Sequence, residues 1–572
     1  MIQMATHDVV LRGGTVIDGS GAPARTADVA IDGETITEVG KVSGKGAREI
    51  DASGALVTPG FVDIHTHYDG QATWDNHLAP SSWHGVTTVI MGNCGVGFAP
   101  VHDTDHDQLI ELMEGVEDIP GAALHEGLAW NWNSFAEYLD AVEAVPHDID
   151  CGAQVPHGAL RLHVMGERGA NREPATADDI GAMAELAREA IEAGGVGFTT
   201  SRTANHRTSK GELTPTLTAE AAELIGIAEA VGAAGRGVLQ VVSDHLDGDH
   251  EFAMLRAMAE RSGRPLSVSL VATPVRPDWH RMALGHIEAA NDAGLQVRGQ
   301  VAPRPVGLVL GLDLTLNPFM TTSVWQDIAD LPLAGKVAAL RNDDTRRALI
   351  DELGGPRSTL LGAKLVSKFD IMFELADPPN YEPLPSESLA SRAASAGSSA
   401  AEMALDIMLT DGGQGLLYVP FANYLDGSLD VVAEMLNHPL TIPGLGDGGA
   451  HVGTICDGSF STTLLTHWGR DRATDRLPLE YLIKQHCQDT AAAVGLSDRG
   501  QLVPGLRADV NVIDFDNLHA LRPEIHHDLP AGGRRLLQRA TGYEHTICAG
   551  QQIYQNGVAT GALPGRLIRH AG

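Results

Sequence analysis

The chain has 572 residues, 43% of them hydrophobic, and a formal net charge of −34. Its length exceeds one compact domain, so we expect a large domain and a smaller one, at roughly 100–200 residues per domain. So negative a charge excludes a protein that binds nucleic acid through its phosphates, because phosphates attract Lys and Arg.

The chain also lacks the marks of export and of membrane insertion. Its first residues do not have the basic, apolar and small-residue pattern of a signal peptide. No apolar run approaches the ~18 residues that a membrane span needs. The five cysteines are scattered and form no CxxC pair, so they do not predict a disulfide framework. We therefore expect a cytoplasmic protein.

The first 58 residues are predicted to form strands of a small sheet domain. The stretches HDVVLRGGTVIDGSG (7–21) and ADVAIDGETITEVG (27–40) alternate apolar and polar residues between glycine-rich turns. This period of two indicates antiparallel strands with one buried face.

Residues 59–490 are predicted to form an α/β domain, a (β/α)8 TIM barrel. Short apolar runs alternate here with Ala- and Glu-rich helical stretches. Eight such units, each a strand followed by a helix, are the number that closes a TIM barrel. The predicted strands are 55–65, 86–92, 148–157, 194–200, 237–245, 266–272, 295–302 and 440–447.

One segment, about 305–415, is too long for a single loop of such a barrel. We expect an inserted helical subdomain over the barrel mouth, between the seventh and eighth strands. Its polar, Ser- and Ala-rich part, NYEPLPSESLASRAASAGSSAAEM (380–403), leaves a disordered linker as the alternative.

Strand-like alternation returns near the end of the chain, at 500–516 and 543–557. Two β-rich segments that flank a barrel suggest a single small domain made from both. We therefore predict a composite β-sandwich formed by residues 1–58 and 491–572.

A histidine pair marks the end of the first predicted barrel strand, where GFVDIHTHYD places His65 and His67 one residue apart. Alternate residues of a strand point to the same side, so both imidazoles would face the barrel mouth. Neutral imidazole is the commonest metal ligand, which makes the pair a candidate zinc site. The alternative is a pair of polar loop histidines. Asp69 follows directly and is expected to brace this loop.

Three later strand ends supply further candidate ligands. Cys94 follows the second strand, His245 the fifth and Asp447 the eighth. A thiolate, an imidazole and a carboxylate at the same mouth would complete a metal site with the histidine pair. The aspartate could also take a proton from water, as a general base. Taken singly, Cys94 could be a small core residue and Asp447 a turn residue.

Four motifs resemble the amidohydrolase superfamily and, within it, the D-aminoacylase (N-acyl-D-amino-acid deacylase) group. They are HTHYD (65–69), GVTTVIMGNCG (85–95), GLGDGGAH (444–451) and GLRADVNVID (505–514). The HxH pair is shared by much of the superfamily, whereas the cysteine of GNCG is the specific mark of the group. The resemblance runs along nearly the whole chain.

This resemblance implies a (β/α)8 barrel, a composite β-sandwich and the metal-activated hydrolysis of an amide. By their positions, His65, His67, Cys94 and His245 match the ligands of the group, and Asp447 matches its catalytic aspartate.

Three segments depart from the group. Its sixth strand carries Ser-His-x-Lys, where this chain has PLSVSLVATP (265–274). Its fifth-strand His-x-Arg-Asn-Glu is His-Leu-Asp-Gly-Asp here, and its eighth-strand His-Pro-Arg has no counterpart. One histidine ligand and the substrate-binding lysine and arginine are therefore unmatched.

A basic segment after the fourth strand, GFTTSRTANHRTSKGELTP (197–215), is the candidate replacement. Arg202 and Arg207 are the leading candidates to bind a substrate carboxylate, because a guanidinium fork can donate two parallel hydrogen bonds. Arg304, after the seventh strand, is a further candidate. The alternative for the basic segment is an exposed loop with ordinary charges.

Two more histidines lie at strand ends. His157 ends the third strand and His451 follows Asp447. Either could orient a ligand or polarise the substrate carbonyl, and ordinary packing is the alternative for both.

The sequence thus predicts a zinc-dependent amidohydrolase that cleaves an N-acyl-amino-acid-like amide by metal-activated water, with Asp447 as general base. We expect about one tightly bound Zn²⁺ per chain and leave a second ion open. The expected partner is a small-molecule amide, not nucleic acid or a membrane, and homo-oligomer formation is left open. The alternatives are a hydrolase of a cyclic amide, imide or urea-type substrate, and a scaffold without catalysis.

Overall fold

The computed structural model describes residues 6–245, 247–353, 365–456 and 458–569. At its centre, eight parallel strands form one sheet in which each strand pairs with its neighbour in chain order. All eight predicted strands are present, and the predicted (β/α)8 barrel is confirmed. The barrel strands 1 to 8 are Phe61–Asp63, Val86–Met91, Asp150–Pro156, Gly197–Arg202, Val238–Ser243, Leu266–Ser269, Val297–Val301 and Thr441–Pro443.

The barrel closes between its first and last strands, just beyond their regular ends. Thr66 and Gly448 form a parallel bridge. His67 N donates to Gly448 O at 2.8 Å, and Asp447 N donates to His65 O at 2.9 Å. The closing hydrogen bonds therefore run through the histidine pair and the eighth-strand aspartate.

Helices cover the outside of the barrel. Ala177–Glu192 and Ala221–Ala233 form where Ala- and Glu-rich stretches predict them, and Thr176 caps the first by accepting from Asp179 N. The helices outside the insertion are His106–Glu117, Gly121–Gly127, Phe135–Glu143, His157–Met165, Glu167–Ala170, Ala177–Glu192, Ala221–Ala233, Gly248–Ser262, Trp279–Asp292, Asp430–Leu436, Phe460–Thr466, Leu479–Lys484 and Thr490–Ala493. Within the described residues, no helix combines the length and apolar character that a membrane span requires.

The small domain takes its strands from both ends of the chain, as predicted, and these strands form one nine-stranded sheet. Leu56–Pro59 joins the two ends, because it pairs antiparallel with Val510–Ile513. Only Gly60 separates it from barrel strand 1, and a Cβ there would lie 2.2 Å from Thr87 Oγ1. The other strands are His7–Val16, Arg25–Asp32, Thr35–Gly40, Gly46–Asp51, Tyr543–Cys548, Gln551–Gln555 and Val558–Ala559.

The insertion after barrel strand 7 differs from the helical subdomain that we predicted, because it also contains a three-stranded antiparallel sheet. The strands Val306–Leu310 and Phe373–Glu374 both pair with Leu417–Ala422, far along the chain. Its helices are Ser323–Ile328, Leu333–Leu340, Asp343–Glu352, Leu389–Ala396 and Ala400–Met408. The last two occupy the Ser- and Ala-rich stretch, which is therefore helical and not a linker.

A hairpin that we did not predict reaches from the small domain to the barrel mouth. Its strands, Glu524–Leu529 and Gly533–Leu537, pair antiparallel. Leu536 N donates to Val452 O at 2.6 Å, in the loop after barrel strand 8. The first of these strands, EIHHDL, has too few apolar residues for a strand signal.

A buried ion-pair network fastens the opposite end of the barrel to the C-terminal segment. Asp150, which begins barrel strand 3, accepts from Arg499 Nη1 at 2.6 Å and from Arg507 Nη2 at 2.8 Å. All three side chains are almost completely buried. Each guanidinium is therefore removed from water and depends on its carboxylate partners.

We predict that Asp150→Asn lowers the thermal unfolding midpoint strongly. Removing one partner of a buried pair typically costs about 3–5 kcal/mol, because the remaining charge stays buried without compensation. The matched control is Glu185→Gln, which removes an exposed partner of Arg188 and should leave the midpoint nearly unchanged. Equal midpoints for the two variants would show that the network does not hold the domains together.

Candidate metal centre

Three barrel strands bring four of the predicted site residues together. The ligand atoms of His65, His67 and Cys94 all lie within 4.8 Å of one another. Cys94 Sγ lies 3.4 Å from His65 Nε2. Asp447 Oδ1 lies 3.3 Å from His65 Nε2 and 3.5 Å from His67 Nε2. A sulfur, a carboxylate oxygen and two imidazole nitrogens therefore share one small buried volume.

The loops that carry these side chains adopt backbone conformations that are rare for residues other than glycine. Cys94, Asp447 and His451 have φ angles of 55°, 42° and 50°, in the left-handed region. Gly92, before the cysteine, has φ 84°, and a Cβ there would lie 2.2 Å from Gln154 O. Such strained residues concentrate where a structure holds functional groups in place.

A hydrogen bond from the seventh barrel strand orients the first imidazole. His65 Nδ1 lies 3.0 Å from Gln300 Oε1, and Gln300 Nε2 donates to Ser267 Oγ at 2.8 Å. With its amide nitrogen donating, Gln300 offers an oxygen to Nδ1–H. The lone pair of His65 Nε2 then faces Cys94 and Asp447, as a metal ligand requires.

Burial sets the protonation of the cluster. It lowers the pKa of His67 to about 4 and also lowers the pKa of His65, so both imidazoles are neutral at pH 7. Burial alone would raise the pKa of Asp447, but His65 and His67 lower it below its ordinary range. Burial raises the pKa of the Cys94 thiol, with Glu117 and Asp447 adding to the effect. A metal ion would have to displace that thiol proton.

Two further residues face the site, and neither was predicted to lie beside the metal ligands. Glu117, the last residue of helix His106–Glu117, places Oε1 3.3 Å from His67 Nδ1 and Oε2 3.6 Å from His451 Nε2. Its signal in the sequence is an acidic residue on the same helix face as buried Met113 and Val116.

The second is His206, in the basic segment after barrel strand 4. Its Nδ1 lies 2.8 Å from Ser201 Oγ. Burial, together with the nearby imidazoles of His451 and His67, lowers the pKa of His206 to about 3. His206 therefore lies near His451, which we predicted as a site residue and which also lies beside the cluster.

The structure does not bring His245, the predicted third imidazole ligand, into the cluster found among the described residues. Its ring stacks on Phe252 with a centroid distance of 5.2 Å and packs against Trp279 at 4.6 Å. Its position after barrel strand 5 is as predicted, but aromatic packing turns the imidazole to a different environment.

The arginines that we predicted as carboxylate ligands bind the protein itself. Arg202 donates to Glu251 Oε1 at 2.7 Å and to Ala219 O at 2.6 Å. Arg304 is buried and donates to Ser459 Oγ at 2.9 Å and to Cys456 O. Arg207 donates to Gly211 O at 2.9 Å, within its own loop. The structure therefore places Arg202 and Arg304 as anchors of the surrounding loops.

The two remaining predicted residues have different surroundings. His157 Nδ1 lies 2.8 Å from Thr200 Oγ1, and His157 Nε2 lies 2.8 Å from Glu223 Oε1. Both ring nitrogens are therefore hydrogen-bonded within the barrel wall. Asp69 is buried beside the cluster, and burial raises its pKa to about 7. Its backbone oxygen accepts from Tyr138 Oη at 2.9 Å. Its bracing role stays a prediction.

Comparison with known proteins identifies the relatives of this fold and site. The model of a family described as the amidohydrolase family matches residues 48–352 and 382–554. D-aminoacylase from Alcaligenes xylosoxydans xylosoxydans is 33% identical over 267 residues, which are 46% of this chain and 49% of that protein. N-acyl-D-glutamate deacylase from the same organism is 34% identical over 307 residues, 52% of this chain and 57% of the relative. The chain thus spans about half the length of these curated relatives.

A solved structure extends the likeness to the whole fold. It is a D-aminoacylase with a binuclear metal center, for which one-metal activation and second-metal attenuation are described. It has a TM-score of 0.65 and 25% identity, and the match covers 99% of this chain and 100% of that chain. These matches confirm the predicted resemblance to the D-aminoacylase group. Because the family model covers most of its length, the chain belongs to the amidohydrolase family.

Proposed function

We propose that the protein is a zinc-dependent amidohydrolase that removes the acyl group from an N-acyl-amino acid. The observation that carries the proposal is the convergence of His65, His67 and Cys94 within 4.8 Å, with Asp447 Oδ1 against both imidazoles. The relatives named D-aminoacylase and N-acyl-D-glutamate deacylase support an N-acyl-D-amino acid as the substrate.

The donor set fits a zinc ion. His67 is completely buried, yet among the described residues neither ring nitrogen has a hydrogen-bond partner, and Asp447 Oδ1 has none either. Buried polar atoms without partners are costly unless something binds them. Two imidazoles, a thiolate and a carboxylate are ligands that zinc takes in tetrahedral sites. We propose His65, His67 and Cys94 as the residues that hold the ion, with Asp447 as an acidic group beside them.

When bound, zinc supplies a Lewis acid for the amide carbonyl and lowers the pKa of water to about 7. The chain supplies the proton transfers. Asp447, whose pKa lies below its ordinary range, is ionised at neutral pH and can take the proton of the attacking water. The same carboxyl then delivers that proton to the leaving amine. We also propose His206 and His451, which lie beside the cluster, as residues that contact the substrate.

A second candidate function is the hydrolysis of a neutral cyclic amide or urea-type substrate. The observation that favours it is the use of Arg202 and Arg304 in contacts within the protein. Both guanidinium groups are thus already engaged by the protein. Arg207 is then the remaining candidate from the basic segment for an anionic substrate.

We predict that zinc-loaded protein hydrolyses an N-acyl-D-amino acid faster than its L enantiomer and faster than hydantoins or ureas. The measurement is kcat/KM across matched pairs at one pH.

If Arg207 binds the carboxylate, Arg207→Ala should lower kcat/KM about 10-fold or more for the acid and much less for its neutral amide, as expected for a hydrogen bond to a charged group. Turnover restricted to cyclic amides would establish the second candidate instead.

We predict about one firmly held zinc per chain, because His65, His67 and Cys94 offer the three protein ligands that catalytic zinc sites use. Elemental analysis after dialysis measures it. Cys94→Ser should lose most of the metal. Cys151→Ser, at a buried cysteine of barrel strand 3 away from the cluster, should keep it. Metal-free wild-type protein would exclude the proposed centre.

We predict that Asp447→Asn folds normally and retains most of its zinc but loses its proton acceptor. Loss of a general base typically lowers the rate about 10²–10⁴-fold. Steady-state kinetics give the rate, while circular dichroism and metal analysis of the same preparation control for folding and loading. A variant with near-normal kcat would remove Asp447 from the mechanism.

A further inference from the structure

The carboxylate of Glu117 is buried between two imidazoles. The residue is 1% exposed, and neither oxygen has a hydrogen-bond partner among the described residues. Its ion-pair neighbours are His67 Nδ1 at 3.3 Å and His451 Nε2 at 3.6 Å. The Glu117 side chain thus lies against the nitrogen of His67 that points away from Asp447.

Local packing fixes this placement. Helix His106–Glu117 buries Leu109, Met113 and Val116 on one face, and its last turn directs Glu117 toward the cluster. The same two residues are also joined through their backbones, because His451 N donates to Glu117 O. The helix and the loop after barrel strand 8 therefore meet at Glu117.

The neighbouring residue strengthens the same junction. Asp118 Oδ2 accepts from Gly453 N at 3.1 Å, two residues beyond His451. Asp118 and His451 have φ angles of 52° and 50°. Two strained residues face each other across the contact, which indicates that surrounding interactions hold the junction in place.

We propose that Glu117 is a positioning residue that fixes the tautomer and direction of His67 and holds His451 over the site. Its Oε1 lies 3.3 Å from His67 Nδ1 and so favours the tautomer that carries its proton on Nδ1, which leaves the lone pair of Nε2 facing Asp447. Its Oε2 lies 3.6 Å from His451 Nε2 and draws that imidazole toward the same carboxyl group. A carboxylate behind a ligating histidine orients the ring and makes it a stronger ligand. The inference rests on the proposed metal function.

The test compares Glu117→Gln with wild-type protein by chelator competition for zinc. Glutamine keeps the shape but replaces one carboxyl oxygen with an amide nitrogen, so we expect metal affinity to fall about 10–100-fold, the range for such outer partners. Asp118→Asn is the matched control, because it weakens the same junction without touching His67. It should leave metal affinity unchanged.

Cobalt substitution separates positioning from direct ligation. The visible absorption of the Co²⁺-loaded Glu117→Gln variant should keep the intensity and position of the wild-type spectrum, since the ligands are the same. A changed spectrum would show that Glu117 is itself a metal ligand. Unchanged zinc affinity in Glu117→Gln would show that Glu117 has no role at the metal. An equal loss in Asp118→Asn would assign the effect to the junction alone. Metal-free wild-type protein would overturn the proposed function itself, which is a distinguishable result.

Discussion

The hydrogen bonds that close the barrel between Thr66 and Gly448 are the constraint on which the site depends. His65 and His67 come from the first strand, and Asp447 comes from the eighth. An open sheet would leave these groups at opposite edges. Because Asp447 N bonds to His65 O, the backbone that closes the barrel also sets the distance between the carboxylate and the imidazoles. Fold closure and site assembly are therefore one event.

The site is polar but enclosed, and its charges are arranged by burial. The two histidines of the pair are neutral while Asp447 stays ionised. In a medium of low polarity each of these groups interacts strongly with its neighbours, and an unpaired one is costly. An ion or substrate that pairs with several of these atoms at once removes that cost. The buried cluster therefore binds such a ligand more tightly than exposed groups would.

The sequence predicted the parts of the fold and site that local patterns encode. The eight barrel strands are short buried runs, and the strand ends place His65, His67, Cys94 and Asp447 without further information. Glu117 is different, because a helix outside the barrel brings it to the site through its packing. No local pattern reports where that helix lies.

The remaining differences also arise from contacts between distant segments. The sequence suggested that Arg202 was free to bind substrate, because its partner Glu251 lies far along the chain, on the helix after barrel strand 5. His245 follows barrel strand 5 as expected, but Phe252 and Trp279 determine where its ring packs. The sheet of the insertion joins strands on either side of its helices, so neither strand has its partner nearby in the sequence.

The pairing of Leu56–Pro59 with Val510–Ile513 has a consequence for how the molecule forms. The whole barrel is a loop between two adjacent strands of the terminal sheet. Contacts of such long range slow folding, because the chain loses loop entropy before the contact stabilises it. The entropic cost of closing a loop grows only slowly with its length, so this chain connectivity lowers the stability of the folded protein only slightly. Until Val510–Ile513 is synthesised, the strand Leu56–Pro59 has only its parallel neighbour His7–Val16, and its other edge stays open to unwanted pairing.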